Sequence, residues 1–390
     1  MRGVVAAETV NVVIKSPIET IFEFLEAKAL VRTVLHEVHD LGQSVWLDTI
    51  GRDLIASGGL ERWIEQGVVG VTTNPAIFEQ AIAKTEDYDR EITDLFAQGK
   101  DAAGVYEALT LREVGAAADI LRPVYDRTQG LDGYVSLEVN PLLASDTDST
   151  VDEAERLFGL LGRPNVMIKI PATPEGILAV AGATAVGVNV NATLIFSEEQ
   201  YARVANAYLC GLRSCISATF PASVASVFVS RVDTAVDKAL AAKGEESLCG
   251  RIAVDGARMM YQHFKKEAFA GAEWKELAAK GARVQRPLWA STGTKNPAYS
   301  DVKYVQELIG PNTVNTVPPK TITAFLDHGR AAASIEDDLA GARARLRRLE
   351  ELGIDRKAIC AKLLADGIES FNGAFRSLLE AIEKKAGARA

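Results

Sequence analysis

Eight short runs rich in valine, isoleucine and leucine recur along the chain, and each is followed by residues with helical periodicity. The runs are residues 44–48, 68–73, 134–139, 165–170, 187–191, 224–229, 286–291 and 312–317. Alternation of buried strands with helices is typical of a parallel sheet. Eight such units are the number that closes a barrel. The sequence therefore predicts an α/β fold, a single (βα)8 TIM-type barrel that forms the catalytic domain over residues 41–330.

Further helical segments predict additions to this barrel. A capping box with proline at the first helical position, Ser16-Pro17-Ile18-Glu19, predicts a helix over residues 16–39, within an N-terminal helical extension of residues 1–40. Two long connections show helical periodicity at residues 88–98, 105–121, 250–270 and 274–280. Residues 331–390 predict C-terminal helices packed on the barrel, two long ones spanning residues 334–385.

Composition and charge exclude several classes of partner. The 390 residues carry a net charge of −9, and their basic residues are scattered, which argues against nucleic acid. Small phosphorylated metabolites remain suitable ligands, because one or two cations at a site suffice to bind them. The most apolar window, residues 179–196, is interrupted by Asn189 and Asn191, so we expect no membrane span.

Cysteine usage predicts a reducing compartment, and neither the histidines nor any glycine-rich motif supports a metal or a nucleotide cofactor. Four cysteines occur without zinc or disulfide spacing, at Cys210, Cys215, Cys249 and Cys360. We expect a cytoplasmic protein, or a plastid one if a transit peptide was removed, since Arg2 and Glu8 make an incomplete targeting signal. No histidine lies at a strand end to ligate a metal, and neither G-x-G-x-x-G nor G-x-x-x-x-G-K-[ST] occurs.

Lys169 is the polar strand residue with the sharpest chemical consequence. It lies in the apolar run 166–171, so its amine is expected to be buried. Burial disfavours the charged form of a lysine, and a neutral amine is a nucleophile toward carbonyls. The alternative is a structural lysine that reaches water or pairs with Glu138.

Other polar residues lie at the carboxyl ends of neighbouring strands, where barrels place their reactive groups. Asp48 and Glu138 would supply the acid and base that imine chemistry needs, or else form salt bridges to Lys169 or Arg231. Several further side chains suit a phosphorylated polyol. Asn74, Asn191, Thr193 and Ser226 can bond hydroxyl groups, and Arg231 and Lys295 can bind a terminal phosphate.

In order and in combination, seven motifs between about residues 43 and 329 resemble those of transaldolases. They are Ser44-Val45-Trp46-Leu47-Asp48, Val71-Thr72-Thr73-Asn74-Pro75, Ser136-Leu137-Glu138-Val139-Asn140-Pro141, Ile168-Lys169-Ile170-Pro171, the run of residues 189–197, the run of residues 226–233, and Leu288-Trp289-Ala290-Ser291-Thr292. The resemblance implies a class I transferase of the pentose phosphate pathway that works without a cofactor. Such an enzyme moves a dihydroxyacetone unit from sedoheptulose 7-phosphate or fructose 6-phosphate to glyceraldehyde 3-phosphate or erythrose 4-phosphate. Sugar phosphates would be its partners, with a homodimer left open.

The resemblance also implies a role for each matching residue. Lys169 would form the imine, Asp48 would deprotonate the substrate hydroxyl, and Glu138 would move protons through a water molecule. The remaining residues would bind substrate: Asn74, Asn191, Thr193 and Ser226 at the hydroxyls and the water, Phe228 as a wall, and Arg231 and Ser291 at the phosphate.

One departure from the pattern follows the seventh strand. Short transaldolases have Ser-Phe-Arg-Asn there, whereas this chain has Ser291-Thr292-Gly293-Thr294-Lys295-Asn296, as in a longer subfamily. We therefore assign the second phosphate cation to Lys295 as a hypothesis.

Three alternative functions stay open: a fructose 6-phosphate aldolase that releases dihydroxyacetone, a glycoside hydrolase acting through Asp48 and Glu138, and a barrel that binds a ligand without catalysis.

Overall fold

A computed structural model of the protein describes residues 32–387, in which seven parallel strands form one curved sheet. The strands are β1 (Gln43–Leu47), β2 (Val135–Glu138), β3 (Val166–Pro171), β4 (Val190–Ile195), β5 (Ser223–Phe228), β6 (Arg286–Ala290) and β7 (Thr313–Val317). Their order in the sheet is β1-β7-β6-β5-β4-β3-β2. Apart from one gap between β1 and β2, strands consecutive in the chain are neighbours, as a TIM-type barrel requires.

Residues 68–73, predicted as the second strand, fill the gap between β1 and β2. Val71 forms a parallel bridge to Leu47 on one side and to Val135 on the other. Within this segment a Cβ atom on Gly70 would lie 2.7 Å from the Trp46 ring, and glycine at such a close approach weakens a strand. The prediction of eight regular strands is therefore wrong for this segment, although its hydrogen bonds close the barrel and confirm the (βα)8 fold.

Helices surround the sheet and extend the chain beyond it. They are α1 (Val34–Asp40), α2 (Arg52–Ala56), α3 (Gly59–Glu65), α4 (Pro75–Phe78), α5 (Asp89–Ala97), α6 (Ala102–Arg127), α7 (Thr147–Leu161), α8 (Pro174–Ala185), α9 (Glu198–Arg213), α10 (Ser230–Ala241), α11 (Ile252–His263), α12 (Ala272–Ala279), α13 (Lys303–Gln306), α14 (Pro319–His328), α15 (Leu339–Glu351) and α16 (Arg356–Gly387). The predicted insertion helices correspond to α5, α6, α11 and α12, and the two long C-terminal helices to α15 and α16. None of the helices in the described part of the chain is both long and apolar enough to cross a membrane.

Three predicted boundaries are corrected by the structure. The helix predicted over residues 16–39 lies mostly outside the described residues. Within them α1 begins at Val34, because Thr33 caps it by accepting a hydrogen bond from Leu35 N. The helix predicted over residues 250–270 ends at His263, where a short π-helical turn follows. The strand predicted at residues 187–191 is shifted to β4, since Gly187 adopts φ +92° in the turn before it. The proposed domain divisions at residues 40 and 330 stay predictions.

Helix α16 packs across the carboxyl end of the barrel. It contacts α4, α5, α6, α10 and β4. Gly367 allows a close approach, because a Cβ atom there would lie 3.0 Å from Leu194 Cδ2 and 3.7 Å from Arg231 Nη1. The C-terminal segment therefore covers the end of the barrel where the predicted site residues lie.

A buried ion pair holds the opposite, amino end of the barrel. Arg286 Nη2 lies 3.0 Å from Asp132 Oδ1, and both side chains are almost fully buried. Ser44 Oγ and Trp46 Nε1 also donate hydrogen bonds to the Asp132 carboxylate. Burial alone would raise the pKa of Asp132, but the charge and hydrogen bond of Arg286 and the hydrogen bond from Ser44 hold it below its ordinary value. In TIM-type barrels the amino end of the strands contributes to stability, whereas catalytic groups lie at the carboxyl end, so we interpret this cluster as structural.

Candidate active site

Three predicted site residues lie side by side on adjacent strands. The register pairs Glu138 on β2 with Lys169 on β3, and Lys169 with Asn191 on β4. Paired residues of parallel strands point to the same face of a sheet, so the three side chains enter the barrel together. All three are buried. The row is a direct consequence of strand register.

The Lys169 amine is held by a carbonyl and a carboxylate beneath an aromatic ring. Lys169 Nζ donates a hydrogen bond to Thr73 O at 3.0 Å and lies 3.6 Å from Glu138 Oε2. The Phe371 ring of α16 lies above it, with its centroid 5.8 Å from Nζ. The ion pair that was the alternative interpretation of Lys169 is thus present, and proton transfer between the two groups at this distance needs an intervening water.

Glu138 is poised to exchange protons near neutral pH. Neither of its buried carboxylate oxygens has a hydrogen-bond partner among the described residues. Burial raises the pKa of Glu138 to about 7, against the opposing effect of the Lys169 charge. A carboxyl group with such a pKa can both donate and accept a proton under physiological conditions.

Asp48 directly follows β1 and is close enough to Lys169 for the lysine charge to act on it. Thr72 Oγ1 donates a hydrogen bond to Asp48 Oδ1 at 2.9 Å. Burial raises the pKa of Asp48, while the Lys169 charge, the Thr72 hydrogen bond and the Lys295 charge oppose that rise. Two carboxyl groups with raised pKa values therefore flank one buried lysine, an arrangement that favours a functional site.

Hydroxyl and amide groups continue the row along the barrel wall. Asn191 Nδ2 donates to Ser136 Oγ at 3.0 Å, and Ser226 Oγ donates to Asn191 Oδ1 at 2.6 Å. Thr193 Oγ1 is buried and has no partner among the described residues. The register of β4 shifts beside it, where Leu194 adopts φ +58°. Such strain in a non-glycine residue often accompanies a functional position.

Asn74 caps α4 and Phe228 is the last residue of β5. Asn74 Oδ1 caps α4 by accepting a hydrogen bond from Ile77 N at 3.0 Å, so its carbonyl oxygen already has a structural task. Phe228 at the end of β5 is nearly buried and packs against the Phe196 ring. The Arg231 guanidinium carbon lies 5.3 Å from the Phe228 ring centroid.

The predicted phosphate-binding residues come from the first turn of α10 and from the loop after β6. Burial lowers the pKa of Arg231, and no neighbouring charge opposes that effect among the described residues. Ser291, with φ +55°, has its Oγ 3.0 Å from the Oγ of Ser230, the residue that precedes Arg231. Lys295 is exposed, and its charge is felt at Asp48 rather than in a direct contact with it. An unpaired, partly buried guanidinium beside a hydroxyl group suits a phosphate.

Sequence reasoning missed four supporting groups. Thr72, Thr73 and Ser136 occur in two of the seven motifs but have no role assigned there, although they hold Asp48, Lys169 and Asn191. Phe371 belongs to no motif. The apolar residues of α16 recur at helical spacing, which indicates that one face of the helix is packed. That pattern does not show which part of the protein this face contacts.

Comparison with known proteins gives a consistent result along the chain. The family model described as Transaldolase/Fructose-6-phosphate aldolase matches residues 45–382. A protein of Trichodesmium erythraeum named Transaldolase is 43% identical over 374 residues, which cover 91% of this chain and 98% of that protein. Transaldolase 1 of Streptomyces avermitilis is 46% identical, covering 89% and 94%. The Transaldolase of Thiobacillus denitrificans is 45% identical, covering 90% and 99%.

Proposed function

Because the chain belongs to the transaldolase/fructose-6-phosphate aldolase family, we propose that it transfers a dihydroxyacetone unit between sugar phosphates through an imine on Lys169. The donor is sedoheptulose 7-phosphate or fructose 6-phosphate. The acceptor is glyceraldehyde 3-phosphate or erythrose 4-phosphate. The observation that carries the proposal is the buried Lys169 amine, 3.6 Å from the Glu138 carboxylate.

Imine formation begins with attack of Lys169 Nζ on the ketose carbonyl carbon. Loss of water from the resulting carbinolamine needs a proton on the departing oxygen. Glu138, whose pKa burial raises to about 7, supplies and recovers that proton through a water molecule. The buried Thr193 hydroxyl is free to bind the same water.

Cleavage then breaks the bond between C3 and C4 of the bound ketose. Asp48 takes the proton of the C4 hydroxyl, the aldose product leaves, and the electron pair stays on the three-carbon unit as an enamine. Thr72 holds the Asp48 carboxylate by a 2.9 Å hydrogen bond. Attack of the enamine on the acceptor aldehyde returns the proton, and hydrolysis of the new imine frees the product.

Substrate orientation follows from the remaining groups. Asn74, Asn191 and Ser226 bind the hydroxyl groups of the ketose, and Phe228 closes one side of the site. Arg231, Ser291 and Lys295 bind the phosphate, because guanidinium and ammonium groups form strong charge-assisted hydrogen bonds with it. Lys295 is the least directly placed of the three, since its side chain is exposed.

Trapping of the imine tests this mechanism. Wild-type protein is incubated with fructose 6-phosphate, reduced with borohydride, digested and examined by mass spectrometry. We expect a dihydroxyacetone-derived adduct on the peptide that contains Lys169, none in Lys169→Met, and an unchanged adduct in Lys357→Met, whose lysine is exposed on α16. Folded wild-type protein without an adduct would refute the imine mechanism.

Release of free dihydroxyacetone is the second candidate function, since the matched family model covers such aldolases too. Relatives that span about 90% of the chain are named transaldolases, which favours transfer. The two activities are distinguished by adding erythrose 4-phosphate to protein loaded with the three-carbon unit. Transfer produces a ketose phosphate, whereas the aldolase releases dihydroxyacetone at the same rate with or without acceptor. A glycoside hydrolase would leave Lys169 without a role, and the family membership argues against it.

We also propose a cytoplasmic location. All four cysteines are free, which agrees with a reducing compartment. Fractionation of the source cells, with the protein detected by antibody, tests the location.

A further inference from the structure

The loop of residues 291–302, between β6 and α13, carries Lys295 on an exposed stretch of chain. A lysine on such a loop loses much conformational entropy when it binds a ligand in one position. Its contribution to phosphate binding therefore depends on what fixes the loop. Tyr299, within the loop, makes a contact that can do so, whereas Tyr304 lies in α13, beyond the loop.

Tyr299 ties the loop to helix α10. Its hydroxyl donates a hydrogen bond to Asp237 Oδ2 at 2.7 Å. The other oxygen of Asp237 accepts a hydrogen bond from Gly250 N at 2.8 Å. Gly250 adopts φ +70°, and a Cβ atom there would lie 2.7 Å from Tyr299 Cζ, so the ring is packed against this backbone. Asp237 thus joins the loop to the 249–250 turn through both oxygens.

Tyr304 makes a parallel contact one helical turn away. Its hydroxyl donates to Asp233 Oδ2 at 2.8 Å, and Ala253 N donates to Asp233 Oδ1 at 2.8 Å. Asp233 and Asp237 are four residues apart and face the same side of α10. Arg231 lies in the first turn of that helix. One short helix therefore bears one predicted phosphate cation and anchors the loop that carries the other.

We propose that the Tyr299–Asp237 hydrogen bond is a positioning device that holds Lys295 beside the phosphate of the substrate. This inference rests on the proposed function, and it assigns to Tyr299 a task in substrate binding rather than in chemistry. One cavity of about 180 Å³ is lined by residues that include Lys295, Asn296, Tyr299 and Asp237. The Tyr299–Asp237 hydrogen bond is therefore adjacent to the lysine that it positions.

The Tyr299–Asp237 hydrogen bond is expected to persist at physiological pH. Burial and the hydrogen bond to Asp237 both raise the pKa of Tyr299, so its hydroxyl remains a donor throughout the physiological range. The turn within the loop is closed independently, by hydrogen bonds from Ala298 N and Tyr299 N to Asn296. Loss of the hydroxyl would release Tyr299 from α10 without opening that turn, while Ser291 at the start of the loop keeps its contact with Ser230.

Tyr299→Phe is the direct test, because it removes the hydroxyl and keeps the ring against Gly250. We expect KM for fructose 6-phosphate to rise about 5–10-fold, the size of effect that loss of one ordinary hydrogen bond produces, with kcat unchanged. KM for fructose, which lacks the phosphate, should stay at its wild-type value. Tyr304→Phe is the matched control: it should lower the melting temperature through its buried contact and leave KM unchanged.

A double variant separates positioning of Lys295 from general loosening of the loop. If Tyr299 acts through Lys295, Tyr299→Phe should have no further effect on KM in a Lys295→Ala background. Additive effects would overturn the proposal, as would equal KM increases in Tyr299→Phe and Tyr304→Phe, or an unchanged KM in Lys295→Ala. Failure of the proposed function is recognised separately, since wild-type protein would then form no borohydride-trapped adduct.

Discussion

Glu138→Gln tests whether the barrel holds a carboxyl group that prefers to be protonated. Burial raises the pKa of Glu138 from the ordinary value of 4.5 to about 7. One pKa unit corresponds to about 1.4 kcal/mol, so the folded protein should bind this proton more tightly than the unfolded chain by about 3 kcal/mol. At a pH between these two pKa values, Glu138 is protonated in the folded state and ionised in the unfolded state. The free energy of unfolding contributed by Glu138 therefore falls as the pH rises from about 4.5 to beyond 7.

Urea unfolding of wild type and Glu138→Gln between about pH 5 and pH 8 measures this contribution. Relative to the variant, the wild type should lose most of the about 3 kcal/mol as the pH rises, because glutamine cannot ionise. Other groups that titrate in this range, such as Asp233 with a pKa raised by burial to about 6, are present in both proteins and cancel in the difference.

Asp119→Asn is the control for this measurement. The hydrogen bond from Arg163 holds the pKa of Asp119 below its ordinary value, so the stability of this variant should run parallel to wild type above pH 5. Parallel curves for Glu138→Gln and wild type over the same range would refute the reasoning, and with it the view that Glu138 exchanges protons near neutrality.

Two further substitutions probe the two ends of the barrel. Asp132→Asn should lower the free energy of unfolding by about 3–5 kcal/mol in urea titrations, because it leaves the buried Arg286 charge without its partner. Its kcat should stay unchanged, since this ion pair lies at the amino end of the strands; a stable variant with reduced kcat would contradict that separation. Phe371→Ala should lower kcat about tenfold, or about 1.4 kcal/mol in barrier, because water then reaches the Lys169 amine beneath the ring. Phe371→Leu, which keeps an apolar cover, should retain most of the activity, and equal rates in the two variants would show that the cover is unimportant.

Local patterns in the sequence account for the barrel and for most of the candidate site. Alternation along a strand put Glu138 and Lys169 on the inner face, and the carboxyl ends of successive parallel strands had to meet at one edge of the barrel. The predictions were wrong at two strands whose boundaries the apolar pattern alone does not define. The closing segment around Val71 reads as a strand but forms only single bridges, and β4 begins later than its apolar residues suggest.

The sequence by itself determined which chemical groups the strands carry and that they face one cavity, because side-chain alternation and parallel order are local rules. Only the tertiary structure decided what surrounds those groups. Phe371 reaches Lys169 from about two hundred residues away along the chain, and the Thr73 carbonyl that accepts the hydrogen bond from Lys169 comes from another strand end. The raised pKa of Glu138 likewise arises from burial by the assembled barrel. Desolvation and long-range packing depend on every element that covers a site, so no local pattern encodes them.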